Sequence, residues 1–194
     1  MSEDRGRARR DDIGQHILAV SSKLFYQKGI RAVGIEEILR EANVAKATLY
    51  RHFASKEALV LAYLHHRSAF AVARLHASGE HLSDPVAKIL AAFAALDVNL
   101  NSPDFRGCAF LLAVSEHGES QAIRDIAIRH KLAFQTYFGD LLRSGGIASE
   151  ALTSQIVLIY DGALAIAAIR PDAAPGTTAL DLVRGLLAAA SAQA

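Results

Sequence analysis

The sequence predicts an all-α protein of about nine helices, with a small N-terminal head and a larger C-terminal domain. Apolar residues recur at helical spacing along most of the chain, and no segment shows a convincing strand alternation. Breaks that contain glycine or proline separate these stretches. With 194 residues, of which 52% are hydrophobic, the chain can bury a sizeable core in one or two domains.

The N-terminal segment predicts a flexible tail followed by a first helix. Residues 1–10 are polar and basic. Asp11 and Asp12 mark the helix start, because acidic side chains interact favourably with the positive end of the helix dipole. Apolar positions between Ile13 and Leu24 give this helix a buried stripe, and a glycine follows its predicted C-terminus.

Residues 34–53 predict a helix-turn-helix, which is two short helices joined by a tight turn. The first helix has an apolar face and ends at Asn43, and Asn tolerates the positive φ of such a turn better than other non-glycine residues. Leu49 and Phe53 are apolar positions of the second helix, and the residues between them must face outward. The outward side chains are small or polar: Lys46, Ala47, Thr48, Tyr50, Arg51 and His52.

This outward surface suits the major groove of DNA, where the second helix of a helix-turn-helix binds. Ala47 and Thr48 are small enough to let the helix approach base edges, and their methyl groups can contact thymine. The other side chains can donate to phosphates, and Lys56 lies at the next helix start, where exposed backbone N–H groups favour a phosphate. Residues 1–60 carry a net charge of +3 and residues 61–194 one of −2, so the positive charge lies with the motif. The basic tail is either solvated or an arm that reaches the DNA.

The run Val44–Phe53, followed by Ser55-Lys56-Glu57, resembles the signature of the TetR/AcrR family of bacterial regulators. The resemblance implies DNA contacts by Thr48, Tyr50, His52 and Lys56. It also implies a DNA-binding domain at residues 11–56 and an effector-binding and dimerisation domain at residues 57–194. A homodimer would then bind a pseudo-palindromic operator in double-stranded DNA, most simply as a repressor.

Three positions depart from the family pattern. Gly34 stands where the family often has a Ser or Thr that caps the helix and contacts a phosphate. It stays in the predicted DNA-binding set, although it offers no hydroxyl. Asn43 replaces the usual turn glycine, and Ala45 replaces a frequent Ser. We therefore expect the second helix of the motif to lack its side-chain cap.

Six further helices are predicted, at about residues 57–81, 86–100, 108–115, 123–144, 152–170 and 178–190. The fifth of these is apolar nearly all round, which requires burial on several sides. In a domain this small we expect a second subunit to cover it, and the resemblance implies dimerisation through the last two long helices. The predicted interface residues are Ile159, Ala163, Ile166, Val183, Leu186 and Leu187. The alternative is a central core helix of a monomer.

The resemblance also implies a pocket for a small-molecule effector between the middle helices of the C-terminal domain. Candidate lining residues are Phe70, Phe93, Cys108, Leu111, His130, Phe134, Tyr137, Tyr160 and Asp161. His130 interrupts the apolar stripe of its helix and could bind a ligand, but a core histidine paired with a backbone carbonyl or with Asp161 is the more common arrangement. Cys108 could sense electrophiles, although a lone cysteine is more often a small buried hydrophobe.

No pattern indicates an enzyme, a metal site or a cofactor. The sequence lacks His-Glu-x-x-His, Cys-x-x-Cys, a glycine-rich phosphate loop and a Gly-x-Ser-x-Gly elbow. A single cysteine, no apparent secretory signal and no apolar stretch of about 20 residues predict a cytoplasmic protein without a membrane partner. The rival hypothesis is a helical small-molecule-binding or metal-dependent protein with a degenerate DNA-binding head.

Overall fold

A computed structural model describes the backbone of residues 2–192 and the side chains of residues 12–192. Within these residues the fold is all-α, with nine α-helices, one short 3-10 turn and no strand, which confirms the predicted class. The helices are α1 Ser2–Lys28, α2 Ile35–Ala42, α3 Lys46–His52, α4 Lys56–Ser78, α5 Pro85–Leu100, α6 Ala109–Glu116, α7 Gln121–Ser144, α8 Glu150–Ile169 and α9 Pro175–Ser191.

The start of α1 differs most from the sequence-based prediction. The helix begins at Ser2 rather than at Asp11, so its backbone includes the segment assigned to a tail. The side chains of residues 1–11 lie outside the described residues, and the contact of this segment with DNA stays a prediction. The end of α1 is as expected, because Gly29 follows it with a φ of 92°.

The chain divides into two compact units that do not follow its linear order. The first contains the chain up to Arg67 together with Ala109–Ala127, and the second contains Ser68–Cys108 together with the chain from Ile128 onward. The helix-turn-helix segment therefore shares its unit with α6 and the start of α7. The sequence-based prediction had put the boundary between the DNA-binding domain and the C-terminal domain after Lys56.

The first unit is held together by an apolar core between α1, the helix-turn-helix and the first half of α4. Phe25 of α1 packs against Tyr63 of α4, with ring centroids 5.6 Å apart. Ile38 of α2 and Leu49 of α3 are fully buried. The positions of Ile38 and Leu49 are those that the helical spacing predicts, so the polar face of α3 is left outside.

The second unit has its own core, built on α5, α7, α8 and α9. Four aromatic side chains meet at its centre: Phe93, Phe134, Phe138 and Tyr160. The start of α9 lies against α5 so closely that a Cβ atom at Gly176 would fall 2.7 Å from the Cα atom of Asp97. Only glycine fits there, and the nearby carboxylate suits the positive end of α9, which has no side-chain cap.

One helix of the second unit, α8, is long and apolar enough by composition to cross a membrane. A core helix of a globular protein has the same features, and Leu152, Ile156, Ala163 and Ala167 of α8 are buried in the core. The opposite side of the helix carries exposed apolar residues. The helix α8 is thus apolar on its buried side and on its exposed side.

Candidate nucleic-acid interface

The turn between α2 and α3 has the geometry that a helix-turn-helix requires. Asn43 adopts the left-handed conformation, with φ of 52° and ψ of 49°, as predicted. The backbone N–H of Asn43 donates to the carbonyl of Arg40, and that of Val44 donates to Leu39. These bonds end α2 sharply, so α3 begins three residues later at Lys46.

The outward face of α3 matches the sequence-based prediction in most respects. Lys46, Ala47, Tyr50 and Arg51 are exposed, and Thr48 is half-buried. Leu49 points into the core. The helix has no side-chain cap at Ala45, as the missing Ser predicted. The face is therefore polar and unobstructed within the described residues, and it can approach a groove.

His52 is more enclosed than its predicted role suggested. It is half-buried and lies against α1, where a Cβ atom placed at Gly14 would be 3.0 Å from the Nδ1 atom of His52. The ring of His52 thus lies against α1 where Gly14, which has no side chain, leaves room for it. The sequence offered a signal for this contact in Gly14, a glycine inside a helix, which is otherwise unfavourable.

An ion pair joins the two helices of the motif at the same surface. The ammonium of Lys46 lies 2.9 Å from a carboxylate oxygen of Glu36, in the first turn of α2. This hydrogen bond is the main cause of a raised pKa for Lys46, and the negative charge of Glu36 raises it further. The sequence-based prediction included Lys46 and missed Glu36, because the pairing depends on the angle between α2 and α3.

Lys56 has a structural partner that the sequence did not reveal. Its ammonium donates to the backbone carbonyl of Ile30, at 2.7 Å, in the turn between α1 and α2. The Arg31 backbone N–H in the same turn donates to the carboxylate of Glu116, also at 2.7 Å. Burial lowers the pKa of Lys56, and the negative charge of Glu116 opposes this shift. Lys56 therefore fixes the turn, and its contact with a phosphate stays a prediction.

Comparison with known proteins identifies the family of this fold. The profile described as "Bacterial regulatory proteins, tetR family" matches residues 17–63. The crystal structure of SCO4454, a TetR-family transcriptional regulator from Streptomyces coelicolor, superposes with a TM-score of 0.86 and 31% sequence identity. The match covers 93% of this chain and 97% of that one. The chain belongs to the TetR family.

Two curated relatives show how the similarity is distributed along the chain. The HTH-type transcriptional regulator Rv1255c of Mycobacterium tuberculosis is 42% identical over 59 residues, which is 30% of this chain and only 29% of that protein. The HTH-type transcriptional repressor Rv3405c of the same species is 29% identical over 168 residues, 80% of this chain and 89% of that protein. Of these two matches, the one with the higher identity is thus confined to a segment about as long as the DNA-binding domain.

In the second unit of this TetR-family chain, four of the predicted effector-binding residues form a chain of ring contacts, in the order Phe93, Tyr160, Phe134 and His130. Phe93 and Phe134 both contact Tyr160, with ring centroids 5.5 Å and 5.2 Å apart. Burial raises the pKa of Tyr160 to about 12. Cys108 is half-buried. Phe70 is exposed, so it does not line this cluster. Leu111 is also exposed, and it belongs to the first unit.

The two polar members of that predicted set have partners of their own. His130 is only 6% exposed, and its Nδ1 atom is hydrogen-bonded to the Ser68 hydroxyl at 3.0 Å. Asp161 forms an ion pair with Lys131. His130 is thus a core histidine, but neither a backbone carbonyl nor Asp161 is the partner that the structure shows on Nδ1. Its burial and the Ser68 bond favour the alternative of a satisfied core residue, and effector binding by His130 stays a prediction.

A cleft of about 770 Å³ opens elsewhere in the second unit, between α4, α5 and α7. Val72, Leu141 and three alanines supply its apolar surface, and Tyr137 is the predicted residue that lines it. Its polar lining comprises His76, Glu80, Lys88, Thr136 and Asp140. His76 packs edge-on against Tyr137 at 4.8 Å between ring centroids. The size and mixed lining suit a small amphipathic ligand.

The outer faces of α8 and α9 require a correction to the predicted dimer interface. Val183 and Leu187 are 0% and 2% exposed, because they pack in the core of their own chain. They cannot contact a partner. Ala163 is also buried, although it lies at the bottom of an outer groove. Ile166 is 47% exposed, and Ile159 and Leu186 are half-buried.

Exposed apolar residues continue this outer surface. Leu158, Ile166 and Ile169 on α8 and Leu182 on α9 are large, apolar and exposed. Gly162 lines the groove between the two helices, and the space beside it is open to a side chain from outside. The periodic pattern had indicated that these two helices are apolar, but it could not distinguish the inner face from the outer one.

Among the described residues, no group of three or more histidine, cysteine, aspartate or glutamate side chains is arranged to hold a metal ion.

Proposed function

We propose that this TetR-family chain is a homodimeric bacterial transcriptional repressor that acts in the cytoplasm and binds a pseudo-palindromic operator in double-stranded DNA. The observation that carries the proposal is the surface of α3, where polar and small side chains are exposed on a helix fixed by a sharp turn. Each α3 would enter a major groove.

The contacts of α3 divide by chemistry. Lys46, Tyr50 and Arg51 would donate to phosphates, which positions the helix without selecting a sequence. Ala47 and Thr48 would lie nearest the base edges, where a methyl group can recognise thymine. Gly34 would offer the first backbone N–H groups of α2 rather than a hydroxyl. The half-buried ring of His52 would contact DNA only at its outer edge.

Dimerisation would use the outer surface of α8 and α9. The exposed residues Leu158, Ile166, Ile169 and Leu182 would pack against the same residues of a second copy, since an isologous interface pairs one patch with itself. A dimer places two α3 helices on one DNA molecule, which explains why the operator should be pseudo-palindromic.

An effector would bind in the cleft between α4, α5 and α7. Both α4 and α7 contribute residues to the cleft, and both continue into the unit that contains the DNA-binding head. A ligand that binds two conformations of these helices unequally would shift the population of the DNA-binding state. We therefore propose a small amphipathic effector that weakens operator binding.

Selection of bound duplexes from a random pool, followed by sedimentation of the protein alone and with DNA, tests this function. We expect an enriched sequence with two half-sites related by two-fold symmetry, bound by one dimer, with affinity that falls steeply as salt rises. A metal-dependent or ligand-binding protein with a degenerate head would enrich no sequence. That outcome would overturn the proposal.

A further inference from the structure

The ion pair between Glu36 and Lys46 lies on the surface proposed to face DNA. Glu36 is in the first turn of α2, Lys46 is the first residue of α3, and the two side chains are 76% and 61% exposed. A DNA phosphate placed at the start of α3 would compete with the carboxylate of Glu36 for the same ammonium group.

The other acidic groups of α2 are engaged differently. Glu37 bonds the ammonium of Lys28 on α1, which lowers the pKa of Glu37. Glu41 pairs with Arg40, which also lies 3.9 Å from Glu37. Among the described ion pairs, the one between Glu36 and Lys46 is therefore the pair that involves α3. Glu36 is the acidic residue of α2 that bears directly on the recognition helix.

The competition does not depend on protonation near neutral pH. The pKa of Lys46 is raised, so the stabilising contribution of the pair is fully present below the ordinary lysine pKa and is lost only as pH rises through the raised value. At pH 7 the ammonium of Lys46 is therefore charged. Glu36 instead sets the direction in which the Lys46 ammonium points, and it adds a negative charge close to an approaching phosphate.

We propose that Glu36 is a specificity-determining residue, which holds Lys46 away from phosphates in nonspecific complexes and releases it only when α3 is seated at an operator. The inference rests on the proposed DNA-binding function. In a loose, nonspecific complex the exposed pair stays intact, and Lys46 neutralises no phosphate. At an operator the other contacts fix α3, so Lys46 exchanges the carboxylate for a phosphate.

Glu36→Gln tests the inference, because it removes the competing charge with almost no change of shape. Each lysine that newly neutralises a phosphate steepens the dependence of log K on log salt by about 0.9, so a dimer should gain about 2 units on nonoperator DNA. We expect nonoperator affinity at 0.1 M salt to rise about tenfold. The salt slope on operator DNA should stay unchanged and the operator affinity should rise less than about threefold.

Two variants serve as controls. Glu41→Gln removes the same charge from the same helix, but Glu41 pairs with Arg40 and not with a residue of α3. Arg40 also keeps Glu37 as an acidic partner, so the salt slopes on both kinds of DNA should not change. Lys46→Gln should lower the operator slope by about 2 units per dimer and leave the nonoperator slope unchanged. Adding Glu36→Gln to Lys46→Gln should then have no effect on either slope.

The result that overturns the inference is an equal change on both kinds of DNA, or none, in Glu36→Gln. An effect of Glu36→Gln that persists in the Lys46→Gln background would also overturn it. The Glu36 carboxylate would then repel the DNA directly and not act through Lys46. Failure of the wild-type protein to prefer an operator is a different result, because it would contradict the proposed function itself. The two failures are therefore distinguishable.

Discussion

The carboxylate of Glu116, at the end of α6, accepts a hydrogen bond from the backbone N–H of Arg31, in the turn between α1 and α2. The two residues are 85 positions apart in the chain. A Cβ atom on Gly29, in the same turn, would lie 3.1 Å from the other carboxylate oxygen. The end of α6 thus packs against the turn that precedes α2. This contact makes α6 part of the unit that contains the helix-turn-helix.

Glu116→Ala should loosen this turn. The Arg31 N–H loses its acceptor, and we expect the free energy of unfolding to fall by about 1 kcal/mol. Chemical denaturation measures it. Glu119→Ala is the matched control, because Glu119 approaches only the exposed guanidinium of Arg31 and the ring of His117, each at 3.7 Å. Its loss should cost no more than a few tenths of a kcal/mol. Equal losses in the two variants would contradict this role of Glu116.

A serine introduced at the start of α3 should stabilise the head. Ala45 has extended backbone angles and no side-chain cap, so Ala45→Ser can accept a bond from an N–H of the first turn and add about 1 kcal/mol. Gly34→Ser, at the corresponding position of α2, should add only a few tenths, because glycine is already a fair cap. Thermal unfolding compares them, and a larger gain for Gly34→Ser would contradict the argument.

His130→Phe tests whether His130 is structural. The substitution leaves the Ser68 hydroxyl without this partner, and we expect a loss of about 1–3 kcal/mol in stability. Much of that loss should be recovered when Ser68→Ala is added, because both polar groups are then gone. His66→Phe, an exposed histidine on α4, is the control and should be neutral. Full stability of His130→Phe, with a lost effector response, would instead restore His130 to the effector site.

The dimer surface can be tested by placing a charge on its outer face. Ile166→Glu should give a folded monomer, because the residue is exposed in one chain but an unpaired carboxylate in the interface is strongly unfavourable. Val98→Glu, at an exposed apolar residue of α5, should remain a dimer. Ala163→Glu should unfold the chain instead, since Ala163 lies in the core. Sedimentation at micromolar concentration measures all three, and a monomeric wild type would exclude the dimer.

Local chemistry was well predicted from the sequence. Asn43 takes the left-handed conformation at the end of α2, and the sequence predicts a turn there because the apolar pattern breaks at this residue. The buried faces of α2 and α3 follow from the spacing of their apolar residues. The motif around Tyr50 also sufficed to predict the family. These features depend on residues a few positions apart, so a sequence pattern contains the information.

Features that depend on distant residues were not predicted. The bonds of Glu116 and Lys56 to the turn after α1 join segments that no spacing rule relates. The apolar repeat at Val183 and Leu187 indicated burial correctly, but a repeat does not say whether the covering surface belongs to the same chain. In the same way, the apolar pattern could not tell whether Phe93, Phe134 and Tyr137 line a pocket or fill the core, and they lie in the core.

The central claim is that α3 recognises bases through its small outward side chains, and the most direct test compares the sequences selected by wild-type protein and by Thr48→Ala. We expect the variant to change its preference at the same base pair in both half-sites, by about 1–3 kcal/mol, while the spacing of the half-sites stays the same. An identical consensus for the two proteins would contradict the assignment of Thr48 to base recognition, and the absence of any consensus for the wild type would contradict the claim itself.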